Sequence, residues 1–77
     1  MSALADATTQ MLEPHVGAVI AQGCLRAVGQ AAGKTPETIG PSDWPAVEAT
    51  VRGFLRPVAP PGTIDSLIER IKAVGGV

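Results

Sequence analysis

Three side chains in the first third of the chain could engage a soft metal or an electrophile: Met11, His15 and Cys24. Met11 and His15 stand four apart and so share a helix face. A zinc or haem site needs convergent ligands, usually with a close pair such as CxxC or HxxxH. The sequence holds neither pair, so no metal and no cofactor is expected. As a nucleophile, Cys24 would need a base within hydrogen-bond reach and an electropositive setting. The one histidine lies nine residues earlier, about 13 Å of helical rise away, too far for a hydrogen bond unless a second subunit supplies the base. The expected roles are plainer. Met11 fills core space, Cys24 behaves as a small buried hydrophobe, and His15 is a helix-start residue partly in water. With no Ser/His/Asp set and no phosphate-cradling glycine loop, the chain reads as a non-enzyme.

Two further constellations merit weighing. Ser42 precedes a long helical pattern, a placement that resembles acyl carrier proteins, where a pantetheine arm is attached to Ser in an Asp-Ser-Leu motif. Here the order is Pro41-Ser42-Asp43-Trp44, with the acidic residue on the other side and two arginines on the helix that follows. Ser42 therefore reads first as a helix cap and only alternatively as a modified residue. Arg52 and Arg56 could begin a base-reading helix of a small DNA-binding protein, although Glu48 on the same stripe opposes that use. Their ordinary reading is an exposed face with a Glu48–Arg52 pair one turn apart.

Composition narrows the field. The 77 residues form one domain, residues 1–77, and so short a chain buries only roughly 60% of the surface its unfolded form exposes. A single cysteine rules out an internal disulfide, which leaves oligomerisation as the expected supplement to a marginal core. Six basic residues and a net charge of −1 make no field that would recruit nucleic acid or an anionic membrane. The first six residues lack the positive stretch of a secretion signal, and no apolar run is long enough to span a bilayer. The expectation is a cytoplasmic protein with a reduced thiol.

The elements that would position these side chains are all helical, because apolar residues recur at helical spacing and no β-branched alternation is visible. Ser2 is placed to cap a first helix over about Ala3 to Leu12, with Leu4, Thr8 and Met11 or Leu12 on one face. Pro14 then forces a break, a kink or a fresh start, and a second helix is expected from Pro14 to Ala32, stopping at Gly33. That second helix is apolar or small on almost every side: beyond His15 its polar residues are Gln22, Arg26 and Gln30, one thin ribbon at i, i+4, i+8. It must be surrounded, and Gly17, Ala18, Ala21 and Gly23 let another helix approach closely. Thr35 and Pro36 start a one-turn helix closed by Gly40-Pro41. Ser42 is expected to cap a third helix whose stripe is Trp44, Val47, Val51, Phe54, Leu55 and Val58. Pro57, Pro60, Pro61 and Gly62 end it. Thr63 is expected to cap a last helix with Ile64, Leu67, Ile68, Ile71 and Val74 facing inward, ended by Gly75-Gly76.

The stretch Leu12-Glu13-Pro14-His15-Val16-Gly17-Ala18-Val19-Ile20-Ala21, followed by Leu25-Arg26-Ala27, resembles short helical accessory domains of bacterial signalling proteins. In those domains a helix opens with an aromatic-Ile-Gly-Pro-Ile-Ala pattern and continues into small and basic residues. His15 stands for the aromatic, Val16-Gly17 keep the apolar-Gly pair, and Ala18 replaces the proline. A compatible pattern follows at Pro41 to Leu55. The resemblance covers the central part of the chain, and it implies a docking or regulatory module without catalytic residues.

The sequence thus predicts an all-α protein, a compact bundle of four main helices plus a one-turn helix, with the second helix central. Its expected role is protein–protein interaction, as a homo-oligomer or on a larger partner. The expected contact residues are Leu4, Met11, Gly17, Ala21 and Cys24, with Trp44 either an interface anchor or a partly buried core residue.

Overall fold

A computed structural model describes residues 2–77. Among the described residues three helices make the bundle: α1 (Ala3–Ala32), α2 (Trp44–Leu55) and α3 (Pro61–Val74), with short 3-10 turns at Pro36–Thr38 and Pro41–Asp43. The class is all-α as expected, but the four main helices are three. The two expected N-terminal helices are one element with a sharp bend.

The bend follows from length. Thirty residues of straight helix would span about 45 Å, whereas the longest dimension of the molecule is 29 Å. Gly17 resolves the conflict by leaving the helical region altogether, at φ 84 and ψ 166, a conformation essentially reserved for glycine. The fresh start expected at Pro14 is thereby corrected. Proline's fixed φ is itself helical, so Pro14 removes one donor yet stays inside the helix, and the residue without a Cβ three places later makes the turn.

Local chemistry fixes both ends of α1. The Ser2 hydroxyl accepts the Ala5 N–H at 2.9 Å, as the sequence predicts for a cap. At the other end Gly33 is left-handed (φ 70), Lys34 N–H donates to Gly29 O at 2.8 Å and Gly33 N–H to Gln30 O at 3.3 Å, a Schellman closure. The returning loop lies so close that a β-carbon at Gly29 would sit 2.6 Å from Lys34 O. Asp43 then pins the connection to α2. Its carboxylate accepts from Lys34 Nζ at 2.8 Å and from Gly40 N–H at 3.0 Å, and these bonds, that of Lys34 first, lower its pKa from the ordinary value.

Two caps fall elsewhere than expected. Ser42 lies exposed within the second 3-10 turn, and α2 starts at Trp44, because Pro41 favours the tight turn and Asp43 closes it. In α3 the helix begins at Pro61, the position where a missing N–H costs nothing, so Thr63 sits inside the first turn.

The core gathers Leu4 and Leu12 from the N-terminal arm of α1, Ala21, Cys24 and Val28 from its C-terminal arm, Val47, Val51 and Leu55 from α2, and Ile64 to Ile71 from α3. Thr8 is the one buried polar side chain among the described residues, and its hydroxyl donates to Leu4 O at 2.8 Å. Of the expected stripes, Phe54, Val58 and Val74 remain on the surface. The bundle closes where α3 meets the start of α1: a β-carbon at Gly75 would lie 2.6 Å from Leu4 Cδ1.

Gly29→Ala and Gly75→Ala are each expected to cost about 1–3 kcal/mol, because backbone as well as side chain must move. Gly53→Ala, in open space within α2, is expected to stabilise by roughly 0.5–1 kcal/mol through helix propensity. Urea midpoints of the three variants check both signs.

Candidate functional site

The residues singled out by type are scattered by the fold. Cys24 is fully enclosed, and burial pushes its thiol up to about 11, which leaves it a poor nucleophile at neutral pH. His15 lies exposed on the far side of the Gly17 bend. Among the described residues no group of three or more His, Cys, Asp or Glu side chains could hold a metal ion. Arg52 is committed to carboxylates: Nη1 donates to Asp65 Oδ1 at 2.7 Å and Nη2 to Glu48 Oε2 at 3.3 Å. The Asp65 bond, then that to Glu48, raises its pKa further. Arg56 is exposed beside it.

The expected contact residues divide in the same way. Leu4, Ala21 and Cys24 are at most 1% exposed and belong to the chain's own core. Met11 and Trp44 are half-buried, packed against that core. Gly17 alone is exposed, at the apex of α1.

What the apex presents was not read from the sequence in detail. Val19 is 77% exposed and Ile20 47%, next to exposed Gly17 and Ala18. No Asp, Glu, Lys or Arg occurs between Glu13 and Arg26, so from Gly17 to Ile20 the apex is an apolar corner, with His15 exposed just before it. The signal that could have found it was the pairing of Pro14 with Gly17: a helix that reverses there cannot cover the residues on the outside of its own bend.

Below the apex, the two arms of α1 enclose an open groove of about 760 Å³. Asp6, Glu13 and Glu37 give it negative character against one Arg26, while Thr9 and Gln22 face it from opposite arms. Among the described residues no helix is long and apolar enough to cross a membrane. No protein family, no curated protein and no solved structure matches the chain.

The raised Cys24 pKa has a definite pH consequence. The unfolded chain ionises its thiol near the ordinary value of 9.0 and the folded chain only near about 11, so the unfolded state sheds its proton first as pH rises. The contribution of Cys24 to stability is complete below pH 9 and is lost as pH climbs through that interval. Urea midpoints measured from pH 8 to 11 should fall less steeply in Cys24→Ala than in the parent. A thiol reagent at pH 8 should label the folded parent at least about 100-fold more slowly than the chain in urea.

Proposed function

We propose that this chain is a non-catalytic protein-interaction module that self-associates or docks on a larger partner through the apex of α1. One observation carries the reading: Val19 and Ile20 are consecutive exposed apolar side chains on the outside of the bend, whereas the other large exposed ones, Phe54, Val58, Val74 and Val77, occur singly along α2, α3 and the segments that follow them. The accessible surface of 4203 Å² is close to the roughly 4,400 Å² of a self-sufficient monomer of this mass. The core therefore does not demand a partner, and the exposed apex is not a symptom of an incomplete interior.

Turning the chain at Gly17 needs no large side chain at positions 19 and 20, and polar residues there would be as compatible with the bend. Covering each by a partner would gain roughly 1.5–3 kcal/mol, the scale of an interface anchor. A patch without charge also suits the apolar centre of a protein contact better than a phosphate or a metal. The class of partner that fits is a protein of a bacterial signalling or enzyme assembly, in keeping with the resemblance of the segment around Pro14 and Gly17.

The test replaces Val19 and Ile20 together by Ser. Because both are exposed, stability should stay within about 0.5 kcal/mol of the parent. Sedimentation from about 1 µM to about 1 mM should lose its concentration dependence, and a photo-crosslinker at position 18 should lose its adduct. Association and adducts that survive the double substitution unchanged would refute the apex as the docking surface.

A further inference from the structure

The N-terminal arm of α1, residues 3–16, joins the body through one residue that leaves the helix, Gly17. Its inner side is a finished core element, with Leu4, Ala7, Thr8 and Leu12 at most 1% exposed. The dihedrals of Gly17 alone decide whether the arm folds back on its own body or continues straight. Glycine reaches the helical region as readily as the bent one, and the residues on either side are already helical. Pro14 does not oppose the straight form, because it sits inside the helical arm in both. A straight α1, about 45 Å long, overshoots a body of 29 Å, so its arm could lodge only in another molecule.

The exposed apolar residues point to the same event. On a straight α1, Val16, Val19, Ile20 and Gly23 fall at spacings of 3, 1 and 3, one face running across the former bend. In the closed molecule this face is half-buried at Val16 and Gly23 and open at Val19 and Ile20. When two copies exchange arms, their straight helices pass each other at the hinge and these faces meet. Gly23, with nothing within 4 Å of its β-carbon position, permits close approach, and none of Val16, Val19, Ile20 and Gly23 carries a charge that would repel an identical surface.

Resting on the reading of the apex as a contact face, we infer that the chain forms an arm-exchanged homodimer by straightening α1 at Gly17, the second copy covering the face of Val16, Val19, Ile20 and Gly23. The exchanged pair keeps the core placement of Leu4, Ala7, Thr8 and Leu12 and turns Val16 to the hinge face, while the closed monomer keeps its translational freedom, so concentration sets the balance.

Thr9 and Gln22 face one groove from the two arms, and Cys24 is buried. Thr9→Cys with Gln22→Cys, treated with a short bismaleimide, therefore links the arms within one chain when closed and between two chains when exchanged. The protein is refolded from denaturant at high concentration and fractionated by size before treatment. The dimer fraction is expected to run as a covalent dimer on a denaturing gel, and the monomer fraction as a linked single chain. Gly17→Ala, which excludes the bent conformation, should raise the dimer-to-monomer ratio about tenfold or more. A dimer whose links stay within single chains would overturn arm exchange while leaving apex docking intact. Monomer alone at every concentration, in the parent and in Gly17→Ala, would overturn it as well. If Gly17→Ala does not fold, Val19→Ala with Ile20→Ala in the parent should shift the refolded mixture toward monomer, and an unchanged ratio would overturn the hinge-face contact.

Discussion

The whole structure depends on folding thirty residues of helix into a body shorter than that helix. One glycine satisfies this constraint. With Gly17 at φ 84 and ψ 166, the two arms of α1 each present an apolar face to the same interior, Leu4 and Leu12 from one side and Ala21, Cys24 and Val28 from the other. α2 and α3 then need only supply their own stripes. A residue with a β-carbon at that point would separate the two faces within one chain, so a closed single copy depends on glycine there.

Close backbone approaches at Gly29 and Gly75 complete the enclosure. At Gly29 the loop that follows α1 returns against its own helix, which brings Ile39 into the core at 1% exposure. At Gly75 the end of α3 settles on Leu4. Small residues here act through what they admit rather than through their own contacts. The Lys34–Asp43 bridge, with Gly40 N–H on the same carboxylate, holds the intervening loop in register for α2.

Much of this order was legible in the residues. Ser2 announced its cap, Gly33 its stop, and the 3.6-residue recurrence of Val47, Val51 and Leu55 and of Ile64, Leu67, Ile68 and Ile71 gave the two later helices and their inner faces. What misled was the local preference of single residues. Pro14 and Ser42 looked like boundaries by local propensity, yet the turn is made at Gly17 and the loop is closed by Asp43, because tertiary reach and a specific carboxylate decided both. The candidate site was less legible for a related reason. Leu4, Ala21 and Cys24 read as contact residues while α1 was pictured as two rods, and only the fold-back encloses them. It also leaves Val19 and Ile20 outside, since no neighbour in so short a chain extends beyond the bend.

The contact between Leu4 and Gly75 brings the beginning and the end of the described chain side by side. A short tether between the two should therefore close the backbone into a ring with little disturbance, and new termini could be opened at the Pro57–Pro60 connection, outside the regular helices. The same adjacency suits the domain to insertion within a surface turn of a host protein, whose two flanks would need to separate very little to receive it.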